Sequence, residues 1–444
     1  MKKLQKLGLV GWLGCAIVVS LAHAADKNDT LLRKDRAELA ECSRQTPVEL
    51  HLKDVISRAM ICSPDLVDFR LAHQVAIAET QIAKQRPNPN LSYNLDSINP
   101  HPNKSPQGTG KVDSSIRIDQ LIELGGKAGY RADAATAAEA ASLYQLKYNE
   151  KAVLVAIEQL YFDTLSAQQR VHDLGEVVEM NRRVLDVARK RLQVGDVSQL
   201  EYKKILLDVT RANNEYQAAR SDLSQAKSDL AKALGFDRSI AKSRLSEDWP
   251  NHADKLPTVD WDKVERRADL LAYKNRTEAA DNLRQLGRSL RIPDLTVGVQ
   301  YNHAPVTGDV SRGTINTYSF GVSMPLFIRH QFQGEAQKAE VEYYRARDAQ
   351  LRAEKDAFTS IQNQELDLEV RQERLARVLG DILPSAEEAA TMAEFAYSKG
   401  AISVLDLIDA RRSLRQARTE AAQIRADFAK SLSAFKLAIE AQEN

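Results

Sequence analysis

Four short segments of the chain alternate apolar and polar residues. They lie at about 91–98, 113–122, 294–304 and 316–327. In the first segment, Leu91, Tyr93 and Leu95 alternate with polar side chains, and the other three segments follow the same rule. Segments of about ten residues with a period of two are typical of strands that cross a membrane in a β-barrel. A half-buried sheet in a soluble protein gives the same pattern and stays an alternative for any one segment.

Two much longer segments have the apolar spacing of helices. Between Lys127 and Val194 there is no proline and little glycine, and apolar residues recur at alternating steps of three and four. A comparable pattern follows the fourth strand. At 1.5 Å per residue, a helix of about 67 residues would be about 100 Å long. We predict one long helical hairpin over about 127–235 and a second over about 332–438.

A glycine and a serine mark the turn of each hairpin. Gly195 and Gly400 end the long helical patterns, and Ser198 and Ser403 follow them. Glycine is favoured just after the end of a helix, and serine is favoured at the start of the next one. The tips of both hairpins are therefore expected at these residues.

The order of a helix, two strands and a helical hairpin occurs twice. Three sequence anchors return 204 or 205 residues later: Asp65-Leu66 as Asp269-Leu270, Pro89-Asn90 as Pro293-Asp294, and Gly195 as Gly400. A nearly constant offset predicts a tandem duplication. We assign the first repeat to 48–235, a linker to 236–260, the second repeat to 261–440 and a tail to 441–444.

Four strands are too few to close a barrel, because the smallest known membrane barrels have about eight. Open strand edges in lipid would leave backbone groups without partners. The chain is therefore expected to share its barrel with copies of itself, and a cyclic trimer is the simplest closed solution. The predicted fold is mixed: a trimeric twelve-stranded transmembrane β-barrel, with four strands from each chain, continuous with a long α-helical coiled-coil tunnel.

The first 24 residues have the pattern of a secretory signal peptide. A basic start is followed by an apolar stretch from about Leu7 to Ala22, and small residues precede a cleavage site after Ala24. Lipoprotein processing at Cys15 is the alternative. Residues 25–47 would then form an N-terminal periplasmic arm.

Two cysteines remain beyond the signal, Cys42 and Cys62. In an oxidising periplasm a disulfide between them would tie the arm to the first helix, and two buried thiols are the alternative. The whole chain has a formal net charge of +1, and removal of the signal would take away three lysines and no acids. A charge so close to balance gives no indication of a nucleic-acid partner.

The sequence carries no recognisable catalytic or cofactor motif. Gly125-Gly126-Lys127 lacks the earlier glycine and the following Ser or Thr of a phosphate-binding loop. The eight histidines are scattered without the spacing of metal ligands, and neither His101 nor His303 is assigned a metal. We therefore predict no enzyme activity, no cofactor and no metal site.

The junctions between strand and helix carry a resemblance to a known family. Residues 119–127 resemble the junction of TolC-type outer-membrane efflux proteins, and they are most similar to the CzcC-like branch. Residues 324–327 are similar to the matching junction of the second repeat. The residues concerned are Gln120, Gly125, Gly126, Lys127 and Pro325. The resemblance extends over the chain from about 48 to 440.

The resemblance implies a homotrimer in the outer membrane of a Gram-negative bacterium, in contact with lipid there and with most of its mass in the periplasm. It also implies two protein partners, a periplasmic adaptor and an inner-membrane RND-type cation pump. The expected cargo is cations, in particular divalent metals such as cobalt, zinc and cadmium. Drug efflux or type I protein secretion through the same channel fold is the alternative. A periplasmic adaptor or coiled-coil scaffold is a more distant one.

Within the second tip, Asp406 and Asp409 are similar to the acidic residues that narrow the tunnel in this family. Residues three apart share a helix face, so three chains would place two stacked acidic rings around the axis. In the alternative interpretation, the two carboxylates only cap or decorate a solvated helix start. Ile402 departs from the family pattern, because some relatives carry an arginine there that latches the closed tip.

The resemblance also implies that both tips dock the adaptor. Small residues expose backbone to an approaching hairpin, and the same glycines also serve simply as helix ends. The residues concerned are Val194, Gly195, Asp196, Ser198, Gly400, Ala401 and Ser403.

Overall fold

The computed structural model describes Cys42 and residues 48–96, 112–235, 240, 242–305 and 314–439. The predicted signal peptide, its cleavage site at Ala24, His101, and all of the N-terminal arm except Cys42 lie outside these residues. Both predicted strand pairs, apart from residues 97 and 98, and both predicted helical hairpins lie within them.

The elements follow one another in the predicted order. They are β1 (Glu49–Leu50), α1 (Leu52–Cys62), α2 (Pro64–Lys84), β2 (Asn90–Asp96), β3 (Asp113–Ile122), α3 (Lys127–Gln193), α4 (Gln199–Ala233), β4 (Arg244–Leu245), α5 (Trp261–Val264), α6 (Ala268–Ser289), β5 (Leu295–Pro305), β6 (Thr314–Ser323), α7 (Gln333–Arg377), a π-helical turn (Val378–Ile382), α8 (Leu383–Ser398) and α9 (Val404–Ile439). None of the helices in the described parts of the chain is long and apolar enough to cross a membrane.

The fourth sheet strand is shorter than the alternation predicts. We expected it to reach 327, but β6 ends at Ser323 although apolar residues continue to alternate beyond it. Pro325 lies just after that end, and proline has no backbone N–H to donate to a neighbouring strand. The alternation therefore predicts the face of the strand correctly and its C-terminal end wrongly.

The second hairpin contains a π-helical turn that the apolar spacing does not predict. This turn, Val378–Ile382, separates α7 from α8. Pro384 is the second residue of α8, so it cannot donate a hydrogen bond to the carbonyl of Gly380, and its ring crowds that carbonyl. A local widening of the helix accommodates such a proline without ending the helix.

The chain divides into two compact units. The first contains residues 1–69, 149–264 and 358–440, and the second contains 70–148, 265–357 and 441–444. Each of them draws on both repeats.

The first unit has an apolar core formed by helices of both repeats and by the short β1–β4 pair. Tyr161 of α3 is fully buried there and donates a hydrogen bond from its hydroxyl to the carbonyl of Ser246, at 2.6 Å. Burial, with a contribution from the nearby carboxylate of Asp248, raises the pKa of the Tyr161 hydroxyl well above its ordinary value. A second cluster of the same unit is centred on Phe428 and Phe435 of α9.

The second unit contains the four-stranded sheet, which is antiparallel and has the order β2-β3-β5-β6. Opposite residues form rows across it, and one row of large apolar side chains contains Leu91, Ile118, Val299 and Phe320. These side chains are between 44% and 80% exposed, the lowest value being that of Val299 and the highest that of Phe320. One face of the sheet is therefore apolar and uncovered within the chain, as the alternation predicts.

Candidate functional site at the helical tips

Both hairpin tips have the same backbone arrangement. Gly195 and Gly400 have φ angles of +79° and +74°, which belong to the left-handed region that favours glycine. The amide of Asp196 donates to the carbonyl of Arg191 at 3.0 Å, and the amide of Ala401 donates to the carbonyl of Ala396 at 2.9 Å. This is a glycine-terminated helix end that satisfies the last free carbonyls. Each glycine is thus required at its tip by the backbone conformation.

Both returning helices begin with a reciprocal serine–carboxylate cap. The amide of Glu201 donates to the hydroxyl of Ser198 at 3.2 Å, and the amide of Ser198 donates to the carboxylate of Glu201 at 3.0 Å. Ser403 and Asp406 exchange the corresponding bonds at 3.3 and 3.1 Å. The hydrogen bond from the Ser198 amide holds the pKa of the Glu201 carboxyl below its usual value. Asp406 therefore has a structural role that Glu201 duplicates.

Asp409 has no such role in the cap. Its side chain is 75% exposed, and it forms a long ion pair, 3.8 Å from the guanidinium of Arg412. Asp406 is also exposed, and both acids lie on the side of α9 opposite the buried Leu407 and Ile408. The predicted spacing thus places the two carboxylates on one exposed face at the start of α9.

The two tips pack against each other through a small apolar cluster. Its buried members are Ala188, Ile205, Val209, Val404 and Ile408. The guanidinium of Arg191 also lies 5.6 Å from the ring centre of Tyr397, within the range of a cation–π interaction. The start of α9 is therefore held against the first hairpin.

A polar network centred on the buried Asp208 lies next to this cluster, on the same three helices. Arg412 of α9 donates to the carboxylate of Asp208 of α4 at 2.9 Å, and Asn181 of α3 donates to the same carboxylate at 3.2 Å. Asp208 and Asn181 are 9% and 7% exposed. The pairing of Asp208 with Arg412 could not be recognised from the sequence, because partners 204 residues apart leave no local pattern.

Further ion pairs join α9 to the first hairpin along its length. Arg415, Arg418 and Lys430 pair with Glu215, Glu176 and Asp163 at 3.3, 2.8 and 2.7 Å. In each of these pairs the cation belongs to α9 and the acid to α3 or α4.

The first junction, between β3 and α3, is closed by residues of the second repeat. Lys127 is 6% exposed, and its ammonium lies 2.7 Å from a carboxylate oxygen of Asp294, which also accepts from the amide of Leu124 at 3.0 Å. Gly125 has a φ of +71°, and a Cβ there would lie 2.8 Å from Ile292. The side-chain amide of Gln120 donates to the carbonyl of Pro87 at 3.0 Å. These four contacts give the junction a structural role.

The second junction, between β6 and α7, is open by comparison. Leu326 and Ile328, on either side of Phe327, are 73% and 77% exposed. Phe332, next to α7, has a φ of +56° and lies between the rings of Phe327 and His330. The predicted residue Pro325 thus lies in an exposed segment and makes none of the contacts that close the first junction.

The two cysteines of the predicted bridge, Cys42 and Cys62, are joined by a disulfide with Cα atoms 5.6 Å apart. Arg58 donates to the carbonyl of Cys42 at 2.6 Å, which adds a second tie between that residue and α1. Of the tip residues, Val194 is 79% exposed. Across the described residues, no group of three His, Cys, Asp or Glu side chains is placed to hold a metal ion.

A sequence model of the outer membrane efflux protein family matches residues 55–236 and 262–439. These two segments overlap the predicted repeats, 48–235 and 261–440. The chain is 25% identical over 310 residues to the cobalt-zinc-cadmium resistance protein CzcC of Cupriavidus metallidurans, over 69% of this chain and 72% of that protein. It is 24% identical over 290 residues to the pyoverdine export outer membrane protein OpmQ of Pseudomonas putida, over 61% of this chain and 57% of that protein.

Solved structures of outer-membrane channels share the fold. The Campylobacter jejuni CmeC channel has a TM-score of 0.75 at 18% identity, over 88% of this chain and 87% of that one. CusC has a TM-score of 0.73 at 16% identity, over 88% and 92%. The predicted fold class, with four barrel strands per chain continuous with long helical hairpins in a duplicated chain, is confirmed. Proteins of this kind are passive channels and not enzymes, and the chain belongs to the outer membrane efflux protein family.

Proposed function

We propose that three copies of this chain form the outer-membrane channel of a tripartite efflux system that exports divalent metal cations. The observation that carries the cation assignment is the exposed pair Asp406 and Asp409, of which only Asp406 serves the helix cap. Cobalt, zinc and cadmium are the cargo suggested by the name of the relative CzcC.

The trimer is supported by the edges of the sheet. Among the described residues, β2 and β6 each pair on one side only. Unpaired edges in lipid would leave backbone N–H and C=O groups unsatisfied. Pairing β6 of one copy with β2 of the next would satisfy them, and closure after three copies gives twelve strands. Outer-membrane lipid would then contact the apolar row through Leu91, Ile118, Val299 and Phe320.

Convergence of the second tip on the trimer axis would bring six carboxylates together, two from each chain. Like charges at short range repel one another unless cations screen them or protons neutralise them. A ring of acidic side chains also attracts cations and excludes anions in channels. Asp406 and Asp409 would therefore concentrate divalent cations at the periplasmic entrance of the channel.

The exposed tips are the proposed docking surface for a periplasmic adaptor. Val194 and Leu200 are 79% and 66% exposed on the first tip, and Leu405 is 46% exposed on the second. A Cβ added at Gly195 or Gly400 would meet nothing within 4 Å, so no side chain among the described residues covers either turn. An approaching hairpin would find open backbone beside apolar side chains. An inner-membrane RND-type cation pump would complete the assembly.

The experiment that tests this function is growth of a deletion strain across a panel of divalent metals, silver, copper, siderophores and unrelated drugs. We expect hypersensitivity confined to divalent metals, restored by the wild-type gene. Sensitivity to drugs with normal metal tolerance would overturn the cation assignment and leave the channel intact. A defect confined to siderophore export would instead favour the function that the name of OpmQ describes.

A further inference from the structure

The polar face of the sheet carries an ion pair between two residues of β3, and this pair lies over the neighbouring strand β5. Arg117 and Asp119 belong to β3, and the guanidinium Nε of Arg117 donates to both carboxylate oxygens of Asp119, at 2.9 and 2.7 Å. In the sheet register, Asp119 lies opposite Gly298 of β5, and Gly298 lies opposite Gly321 of β6. The ion pair thus stands next to two facing glycines.

Gly298 and Gly321 have no side chains, and the ion pair occupies the space that side chains at these positions would fill. A Cβ added at Gly298 would lie 2.1 Å from Oδ1 of Asp119 and 2.9 Å from Nη2 of Arg117, so a side chain there would displace the ion pair from its position. A Cβ added at Gly321, one strand further, would lie 3.8 Å from the same Nη2. Arg117 therefore reaches from β3 across β5 toward β6, close to the surface of the sheet.

Neighbouring polar groups hold the arrangement in place. Nη1 of Arg117 lies 3.5 Å from the side-chain oxygen of Gln300, whose amide donates to Asn302 at 2.5 Å. The amide of Asn302 donates in turn to the hydroxyl of Thr317 at 3.3 Å. Arg117 and Asp119 are only 36% and 21% exposed in the single chain. Gln300 thus links the ion pair to a chain of polar side chains on β5 and β6.

We infer that Asp119 sets the charge selectivity of the strand section of the channel, by neutralising Arg117 and holding it flat over Gly298 and Gly321. The inference rests on the proposed function, because it requires the polar face of the sheet to line the channel. Three copies would place three arginines around the lumen. Because each arginine is paired with Asp119 and lies flat on the sheet, it adds no net charge to the lumen beside these residues and does not narrow it. Cations can therefore pass. Without Asp119, the same arginines would repel cations and attract anions.

A thiol placed on the same face reports the local charge directly. Ser319 of β6 lies opposite Gln300 and two residues from Gly321, so Ser319→Cys is a conservative probe within about 7 Å of the guanidinium. Small cationic and anionic methanethiosulfonate reagents react with this thiol at rates that follow the local potential. The measurement is the ratio of the two rates in the purified trimer, with the protein lacking the probe as the background.

In the Asp119→Asn background we expect the cationic-to-anionic rate ratio at Ser319→Cys to fall about fivefold, because an unpaired positive charge lies nearby. In the Arg117→Gln background the ratio should rise by a similar factor. Asp133→Asn is the matched control: it removes the same charge from an exposed position of α3, outside the sheet, and should leave the ratio unchanged.

A ratio that stays unchanged in both the Asp119→Asn and Arg117→Gln backgrounds would overturn the inference, even if the channel itself works. Phe320→Cys, on the opposite face, separates this result from failure of the proposed function. If Phe320→Cys reacts as fast as Ser319→Cys in the membrane-embedded trimer, the polar face does not line the lumen. In that case both the proposed channel and the role of Asp119 are overturned.

Discussion

The two hairpin tips share a backbone design and differ in charge. Each has a glycine at a positive φ angle followed by a reciprocal serine–carboxylate cap, in which Glu201 of the first tip has the role of Asp406 of the second. Three residues beyond each capping acid, the first repeat has Lys204 and the second has Asp409. The two charges, that of the capping acid and that of the residue three positions after it, therefore cancel on the first tip and are both negative on the second.

This difference distinguishes the acid that the helix cap requires at the second tip from the acid that the cap does not require. A carboxylate three residues after the serine is explained by the cap, because both repeats have one there. The cap does not explain Asp409, since the first repeat forms the same cap with a lysine at that place. Asp409 is thus the residue whose charge most specifically supports an acidic ring, and Asp406 combines the ring with the cap.

Neutralising the second tip should give the largest effect. We expect Asp409→Asn to raise the concentration of divalent cation that half-blocks the channel by about tenfold, because three of the six converging carboxylates lose their charge. Planar-bilayer conductance with added cobalt or zinc measures this block. Lys204→Gln is the matched change on the first tip and should leave the block unaltered; an equal effect of both variants would contradict the assigned difference between the tips.

Removing the ion pair between Arg412 of the second hairpin and the buried Asp208 of the first should destabilise both tips strongly. Arg412→Ala leaves the buried carboxylate of Asp208 with Asn181 as its remaining partner, and we expect a loss of about 2 kcal/mol in the free energy of unfolding. Hydrogen exchange of the amides in α4 and α9 near the tips measures the loss.

The neighbouring pair between Arg415 and Glu215 provides the control for that experiment. Glu215 is 46% exposed, so Arg415→Ala should cost less than about 1 kcal/mol. Equal protection in the Arg412→Ala and Arg415→Ala variants would show that burial of Asp208 adds nothing to the link.

The caps should contribute equally at the two tips. We expect Ser198→Ala and Ser403→Ala each to reduce local stability by about 1 kcal/mol, because each removes the acceptor for a free amide at a helix start. Exchange of the amides of Glu201 and Asp406 measures this effect. Ser413→Ala, an exposed serine bonded to a carbonyl of its own helix, should change little; a large effect of only one cap variant would break the equivalence of the two tips.

The smallest of these effects should be the weakening of the Ser198–Glu201 cap at low pH. The folded-state pKa of Glu201 lies below its unfolded value, so the stabilisation is complete above the ordinary carboxyl range and is lost as the pH falls through the lowered pKa. The protection factor of the amides at the first tip, which corrects for the pH dependence of exchange in an unfolded chain, should therefore fall between about pH 5 and 3. Glu201→Gln should lack this component while Glu179→Gln, an acid of α3 outside the tip, should retain it; the same pH profile in all three proteins would rule out the cap as its source.

Features with a local period could be predicted from the sequence. β3 was expected at about 113–122 and spans Asp113–Ile122, where Ile116 and Ile118 alternate with Arg117 and Asp119. The helix ends at Gly195 and Gly400 could also be predicted, because glycine at a positive φ angle and serine at a cap leave a mark within four residues. The nearly constant offset between the sequence anchors likewise predicts that the chain is a tandem duplication.

Features that depend on distant partners could not be predicted. Three contacts join residues more than 160 positions apart in sequence. They are the ion pair of Arg412 with Asp208, the ion pair of Lys127 with Asp294, and the position of the Arg117 guanidinium over Gly298 and Gly321. The π-helical turn had a local signal in Pro384, but the strong apolar spacing around it predicts an unbroken helix. The sequence also left open whether Asp406 caps a helix or lines a ring, and the cap geometry shows that it serves as a cap.

The most direct test of the central claim is disulfide cross-linking of single cysteines at the two corresponding positions, Asp409→Cys and Lys204→Cys. If the second tips converge on the trimer axis, mild oxidation of the membrane-embedded protein should link Asp409→Cys chains into covalent dimers, and Lys204→Cys chains should remain monomers on a non-reducing gel. Dimers from Lys204→Cys alone, or from neither variant, would contradict the acidic ring and with it the cation-selective entrance.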